Sequence, residues 1–336
     1  MAVYTTIDNP ELYFQVKTYT GNGSTNALTL DGDEDMQPDW VWIKDRERSG
    51  YNHNSYDSVR GATKNIWTNL TNTESTYTDS LTAFNSDGFT LGADTGNGEV
   101  NINTETYVAW CWKESATAGF DIVSFTGNET SRTISHSLSA VPHFMIMKSR
   151  ANSVGWGVYH HKNTSAPETD YLYLDTTAAT GDSANFWNDT APTSSVFSLG
   201  ASGISNATGT MIGYLWSEVQ GFSKFGSYTG NGGNIFIYTG FRPAFLMCKQ
   251  TSGTANWQIY NNKVSSFNQG SGEYTLRADA DTAEGSAGTY EVDLLSNGFR
   301  PVGSSSSFNS SGASYIYMAF AEAPFVNSNG VPCNAR

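Results

Sequence analysis

Apolar and polar residues alternate in short runs along most of this chain, and this alternation predicts strands rather than helices. In the run YVAWCWK, which begins at Tyr107, the odd-numbered residues would face one side of a strand and the even-numbered residues the other. Gly, Asn and Ser separate the runs and supply turn conformations. The pattern therefore predicts an all-β chain with many short antiparallel strands.

Three sequence blocks each recur three times, always in the same order. They are T-G-N, P-x-[WF]-x-x-x-K, and a closing aromatic run that ends in glutamate, and their spacings are 101–106 residues. Their reference residues are Gly21, Gly127 and Gly230, then Pro38, Pro142 and Pro243, then Glu114, Glu218 and Glu322. Ordered recurrence at nearly one spacing indicates an internal triplication.

The predicted architecture is three tandem antiparallel β-sandwich repeats, jelly-roll or lectin-like, of about 104 residues each. The predicted limits are 1–115 for the first unit, 116–219 for the second unit and 220–323 for the third unit. A short C-terminal tail covers 324–336.

The P-x-[WF]-x-x-x-K block predicts both a core anchor and a strand end. The aromatic residue of each block should be buried, and these residues are Trp40, Phe144 and Phe245. The lysine that ends each block should pack its aliphatic stem and keep its ammonium in water, and these residues are Lys44, Lys148 and Lys249.

Composition and charge argue against several classes of partner. Charged residues are 15% of the chain, aromatic residues are 13%, and the formal net charge is -14. Only 18 scattered Lys and Arg residues are present, so a phosphate backbone would be repelled and nucleic acid is not expected as a partner. Because no segment reaches the about 18 apolar residues of a membrane span, we expect no membrane insertion. The N-terminal residues also predict no classical export signal.

Cysteine and histidine spacing predicts neither a disulfide framework nor a metal site. Cys111, Cys248 and Cys333 lie far apart, and we expect the first two to be small buried apolar residues. Of five histidines only His160 and His161 are adjacent, without the spacing of zinc motifs. No cofactor is expected.

The recurring glutamates raise the question of catalytic carboxylates, because glycosidases need two positioned acids. A residue that recurs at one place in every repeat is, however, most simply required by the fold. Glu114, Glu218 and Glu322 are therefore expected to pair with the recurring lysine or to accept turn N–H groups. No nucleophile elbow, P-loop or dinucleotide motif is present, and we expect no enzymatic activity.

Two tryptophans and an aspartate cluster are the weaker candidates for binding. Trp67 and Trp187 lie in variable Asn- and Thr-rich stretches, where exposed rings could stack on sugars or could instead attach loops to a sheet. Asp31, Asp33 and Asp35 have a spacing seen in calcium loops, although the later glycine and bidentate glutamate are missing.

Longer motifs carry a resemblance to a known group of proteins. They are YTGNG, PDWVWIK, and the segments Phe84–Gly92, Thr193–Gly200, Gln220–Gly232 and Tyr315–Val326. The chain resembles an uncharacterised repeat family of virion structural, tail-fibre-like proteins of tailed, often marine, bacteriophages. One departure is Glu129, which stands where the other two units have a glycine after T-G-N.

The resemblance implies a function on the surface of a virion, after assembly in the host cytoplasm. The expected function is a tail fibre or other appendage that presents β-sandwich modules for host attachment. A capsid-decorating protein or a carbohydrate-binding module without a fibre role is the alternative. Expected partners are other virion proteins and a host surface glycan or receptor. Phage appendages are commonly homotrimers, but three units in one chain could also form a pseudo-threefold body alone. Specificity is expected in Asp45–Thr78 and Asn163–Pro192.

Overall fold

The structure is a computed structural model that describes residues 5–264, 268, 274–286 and 291–333. Among these residues almost all regular structure is antiparallel β-sheet, which confirms the predicted all-β class. The helices described are a 3₁₀ turn at Pro10–Leu12 and α1 at Ala184–Trp187. In this part of the chain, no helix has the length and apolar character needed to cross a membrane.

Within residues 5–115, the first unit contains nine strands in a large and a small sheet. They are β1 (Phe14–Thr20), β2 (Asn26–Leu28), β3 (Trp40–Asp45), β4 (Asn54–Asp57), β5 (Lys64–Trp67), β6 (Ser75–Thr76), β7 (Leu81–Phe84), β8 (Phe89–Leu91) and β9 (Thr106–Trp112). The large sheet has the order β1-β9-β3-β4-β5-β6, and the small sheet has the order β2-β8-β7.

The second unit is built from eight strands. They are β10 (Phe120–Gly127), β11 (Arg132–Ser135), β12 (Phe144–Ser149), β13 (Gly157–His160), β14 (Asp170–Tyr173), β15 (Gly181–Asp182), β16 (Val196–Leu199) and β17 (Gly209–Trp216). The large sheet has the order β10-β17-β12-β13-β14-β15, and β11 pairs with β16 in the small sheet.

The third unit contains the remaining strands of the described residues. They are β18 (Ser223–Thr229), β19 (Ile237–Tyr238), β20 (Phe241–Gln250), β21 (Gln258–Asn261), β22 (Tyr274–Arg277), β23 (Gly285–Ser286), β24 (Glu291–Leu295), β25 (Gly298–Val302) and β26 (Ser314–Pro324). The large sheet has the order β18-β26-β20-β21-β22-β23, and the small sheet has the order β19-β25-β24.

The three large sheets have the same relative strand order, and they match in register as well. The recurring lysines lie opposite Val108, Ile212 and Ile316 on the closing strands β9, β17 and β26. The unit limits read from the sequence stay a prediction. Strand β26 continues to Pro324, one residue past the predicted end of the third unit.

The inner faces of the three large sheets pack into one shared aromatic core. Trp40 of the first unit lies 4.5 Å from Trp112 and 5.5 Å from Trp216 of the second unit, measured between ring centroids. Trp112 in turn lies 5.6 Å from Phe245 of the third unit. Trp40, Phe144 and Phe245 are at most 1% exposed, which confirms them as buried anchors. The three units therefore share one hydrophobic core and are not independently packed domains.

A second core in each unit lies between the large sheet and the small sheet. In the first unit, Cys111 and Tyr107 face this core, whereas Trp110 and Trp112 face the shared core. The predicted alternation along β9 is confirmed. Cys111 and Cys248 are fully buried in the second cores of the first and third units, as expected for small apolar residues.

The recurring lysines are buried, so the prediction that their ammonium groups reach water is wrong. Lys148 donates from Nζ to the carbonyl of Thr71 in the first unit at 2.9 Å, and Lys249 donates to Thr177 in the second unit at 3.0 Å. Burial lowers the pKa of these two lysines to about 8. Backbone carbonyls of a neighbouring unit replace water as the hydrogen-bond partners.

Ion pairs and backbone hydrogen bonds between units close the three units into a ring. Arg150 pairs with Glu74 of the first unit at 2.9 Å, and Arg46 of the first unit pairs with Glu284 of the third unit at 2.8 Å. At the third junction the backbone N–H of Thr180 donates to the carbonyl of Thr251 at 3.0 Å. Each unit thus contacts both of the others.

Candidate binding site

Trp187 is a core residue and does not offer a surface for sugars. Its side chain is 1% exposed, and its indole N–H donates to the carbonyl of Asp170 at 2.9 Å. The ring packs edge-on against Tyr159 at 5.7 Å. A buried ring cannot stack on a sugar, so the glycan role considered for Trp187 is corrected, and its contacts fit the other role considered, attachment of a loop to a sheet.

Trp67 lies at the junction between the first and second units. Its indole N–H donates to Glu99 at 2.6 Å, and its ring meets Tyr77 at 5.9 Å. Its backbone carbonyl accepts the indole N–H of Trp156 from the second unit at 3.1 Å. The side chain is half-buried, and its glycan role stays a prediction.

Asp31, Asp33 and Asp35 are exposed and do not form a cation site. Asp31 forms an ion pair with Lys17, and the backbone N–H of Asp33 donates to Glu11. Within the described residues, no group of three or more His, Cys, Asp or Glu side chains is arranged to hold a metal. The calcium candidate is therefore not supported by the geometry.

Glu114 and Glu218 each join one unit to the next. Glu114 accepts the backbone N–H of Ile122 at 3.2 Å, and Glu218 accepts that of Phe225 at 3.4 Å. Burial, followed by a hydrogen bond with Asp121, raises the pKa of Glu114 to about 7. These carboxylates accept N–H groups of strands β10 and β18 rather than the turn N–H groups expected from the sequence.

None of these glutamates is hydrogen-bonded or ion-paired to a recurring lysine, which was the other structural role considered. Glu218 instead pairs with Lys224 at 2.7 Å, and Glu322 pairs with Arg242 at 2.8 Å. Lys148 and Lys249 donate to carbonyls of a neighbouring unit, whereas Lys44 donates to the carbonyl of Asp45 in its own unit. The recurring lysines and the recurring glutamates therefore make separate contacts.

Three histidines fill the junction between the second and third units. The rings of His143 and His161 lie 4.3 Å apart, and Nε2 of His161 lies 2.6 Å from the carbonyl of Phe225. Nε2 of His160 lies 3.1 Å from the carbonyl of Tyr317. Burial lowers the pKa of His160 to about 3 and that of His161 to about 4, so both are neutral near pH 7.

The segments expected to carry specificity also contribute to the ring. Thr71 and Glu74 of the first segment contact the second unit, and Thr177 and Thr180 of the second segment contact the third unit. Part of each segment is thereby used for packing between units and is not free to meet a partner.

A cavity of about 310 Å³ opens on the outside of the third unit. The ion pair of Glu218 and Lys224 lies in its wall, together with the side chains of Gln220 and Tyr238. Phe325 of the C-terminal tail forms an apolar part of the wall. The cavity therefore combines an aromatic ring with groups that can both donate and accept hydrogen bonds.

Tyr238 in the wall of this cavity and Phe236, two residues before it in the chain, are both exposed. Phe236 is 49% exposed and Tyr238 is 58% exposed, whereas Ile237 between them is buried. Because alternate residues of an extended segment point to opposite faces, both rings lie on the outer face of the small sheet. Tyr238 pairs with Gly298 on β25, so its direct cross-strand partner has no side chain to cover the ring.

These aromatic residues are specific to the third unit, and sequence reasoning missed them. Ile237 pairs with Phe299 in the same way that Leu28 pairs with Phe89 and Ile134 pairs with Phe197. The residues on either side of this central residue are Ala27 and Thr29, Thr133 and Ser135, and Phe236 and Tyr238. All six are exposed. Aligning the units on the T-G-N block and looking for differences would have found them.

Comparison with known proteins gives one match. A family model described as a domain of unknown function, DUF7483, matches residues 9–324 and so spans nearly the whole chain. No curated protein and no solved structure matches the chain.

Proposed function

We propose that this chain, which belongs to the DUF7483 family, is a non-enzymatic structural protein on the outside of a bacteriophage particle. Its role is that of a tail fibre or other surface appendage that presents β-sandwich modules for host attachment. The motifs that resemble virion proteins of tailed phages suggest the location. The architecture suggests how such a protein acts.

The observation that carries the proposal is the closed ring of three units around one aromatic core. The shared core and the ion pairs at two of the junctions hold the three large sheets against one another. A body of this kind holds its outer loops and small sheets in a constant arrangement, which reduces the ordering cost of binding. Presenting a surface is the activity that this arrangement serves best.

The titratable groups that stand out in the structure have structural partners. Glu114 and Asp121 are hydrogen-bonded directly, which is closer than the about 5 Å that separates the two carboxyls of retaining glycosidases. His160 and His161 contact backbone carbonyls of the third unit. These contacts support a role in binding rather than in turnover of a polysaccharide.

A capsid-decorating protein or a carbohydrate-binding module without a fibre role is the alternative. The cavity beside Tyr238 favours host attachment or a carbohydrate-binding module over capsid decoration, because attachment to a capsid needs a broad surface rather than a cavity. The resemblance to tail-fibre-like virion proteins favours attachment over an isolated binding module. Host attachment is therefore the leading function, with other virion proteins and a host glycan or receptor as partners.

The ring also bears on the proposed oligomeric state. Three units of one chain already occupy the places that three chains would take in a homotrimer. A homotrimer of this protein would have to form through surfaces outside the ring. We expect the isolated chain to be a monomer, with a mass of 36.4 kDa by light scattering.

The proposal is tested with particles of a phage that carries this gene. Antibodies raised against the purified chain are used for immunogold electron microscopy, and their Fab fragments are added before adsorption to host cells. We expect gold at the tail or its fibres and slower adsorption in the presence of Fab.

Other outcomes separate the alternatives. Gold over the capsid together with normal adsorption would support decoration of the capsid instead. Particles without any label would refute the virion assignment. Release of sugar fragments from host polysaccharide by the purified chain would refute the non-enzymatic role.

A further inference from the structure

We infer that the cavity bordered by Glu218, Lys224 and Tyr238 binds a neutral hexose unit of a host surface glycan, an inference that rests on the proposed role in host attachment.

The size of the cavity suits one or two sugar units. Its volume of about 310 Å³ lies at the lower end of the range for small-molecule sites, about 300–1,000 Å³. Gln220 and Tyr238 in the wall are exposed, so the cavity is open to solvent and a longer glycan could continue beyond the bound unit. A terminal or internal hexose is therefore compatible with it.

Tyr238 supplies the flat apolar surface that a pyranose ring needs. More than half of the side chain is exposed, and Gly298 directly opposite on β25 has no side chain to cover it. Thr29 and Ser135 occupy the matching positions of the other units. The fold therefore does not need an aromatic residue here, and its presence in the third unit requires another explanation.

The polar wall matches sugar hydroxyls in both hydrogen-bonding directions. The carboxylate of Glu218 can accept from two hydroxyls, the ammonium of Lys224 can donate, and the amide of Gln220 can do both. Glu218 and Lys224 pair at 2.7 Å and compensate each other's charge. A neutral sugar fits this wall better than an acidic sugar, which would add negative charge to a chain of net charge -14.

The junction between the first and second units lacks these features. Asp121 there takes the place of Lys224, because β10 and β18 have the same register against their closing strands. Asp121 is hydrogen-bonded with Glu114, and the flanking strand residue is Ser135. The combination of lysine, glutamate and exposed tyrosine is thus present where the second and third units meet and absent where the first and second units meet.

The test is saturation-transfer-difference NMR with the full purified chain. The probes are glucose, galactose, mannose, N-acetylglucosamine and glucuronic acid, each at about 10 mM to reach weak millimolar affinities. We expect transfer to at least one neutral sugar, and weaker transfer to glucuronic acid.

Matched variants assign the binding to the cavity. Tyr238→Ser copies the second unit and should weaken binding by about tenfold or more, whereas Tyr238→Phe keeps the ring and should retain affinity within about threefold. Tyr274→Ser makes the same change at another exposed tyrosine and should leave binding unchanged. A second variant of the cavity, Gln220→Ala, should also weaken binding.

Three results would overturn the inference: no transfer to any of the neutral sugars, binding that Tyr238→Ser leaves intact, or a preference for glucuronic acid. Because the assay uses the isolated chain, it is independent of the particle experiments. Unlabelled particles with intact sugar binding would refute the virion role alone, and labelled particles without sugar binding would refute the site alone.

Discussion

Replacing Phe144 with alanine would test whether the three units share one core. Phe144 is fully buried, and its ring lies 5.7 Å from Trp216 and 6.0 Å from Phe225 of the third unit. Removing the ring opens a space between the second and third units that the surrounding sheets cannot close easily. The change therefore acts on the contact between units as well as on its own strand.

The expected size of the effect follows from the burial and the chain length. Truncating a fully buried phenylalanine costs about 3–5 kcal/mol of unfolding free energy. For 336 residues, an unfolding entropy of about 2.1 cal/mol/K per residue gives about 0.7 kcal/mol/K. The Tm should therefore fall by about 4–7 °C.

Differential scanning calorimetry is the assay for this prediction. Because the units share a core, we expect a single transition that moves as a whole in Phe144→Ala. Phe236→Ala is the matched control, since the same side chain is removed where it is 49% exposed. Its effect should stay within about 0.5 kcal/mol, less than about 1 °C.

Two results would contradict the reasoning. An unchanged Tm would mean that Phe144 contributes little to packing. A split into a lowered transition and an unchanged one would mean that the units unfold independently, and the shared core would then not couple them.

Three further predictions follow from the titratable and buried groups. Burial, and then the bond with Asp121, raises the pKa of Glu114 from 4.5 to about 7, so the folded state holds a proton that the unfolded state loses. The unfolding free energy should therefore fall as pH rises through this interval. In urea melts, the difference in unfolding free energy between pH 5 and pH 8 should be smaller in Glu114→Gln than in the wild type, whereas Glu218→Gln should keep the wild-type difference. Lys148→Met removes the donor to the part-buried carbonyls of Thr71 and Val154, and at about 0.5–1.5 kcal/mol per hydrogen bond it should lower the unfolding free energy by about 1–3 kcal/mol in urea melts; wild-type stability would contradict this contact. A thiol reagent should modify the exposed Cys333 in the native protein and the two buried cysteines only after denaturation, and fast native labelling of all three would disprove their burial.

The strand pattern and the faces of the strands were predictable because they depend on a local property of the backbone. Side chains of a strand alternate between two faces, so the run around Trp110 already separates residues of the shared core from residues such as Cys111. The burial of Trp40 and Phe144 was predictable for the same reason.

Only part of the candidate site could be predicted from the sequence. The aromatic residues at Phe236 and Tyr238 stand out once the three units are aligned. Their place beside a cavity depends on the C-terminal tail and on Glu218 from the end of the second unit. Contacts between parts that are distant in sequence bring these elements together.

The sequence by itself determined the all-β class, the ordered recurrence of its blocks and the alternation of inner and outer residues, because these depend on local periodicity and self-similarity. Only the tertiary structure decided which partners those residues meet. Lys148 is buried because a carbonyl of the first unit replaces water at its ammonium. Trp187 is buried because Tyr159 and the carbonyl of Asp170 enclose it. Burial of a polar or aromatic group depends on what packs against it, and the residues adjacent to it in the chain do not determine this.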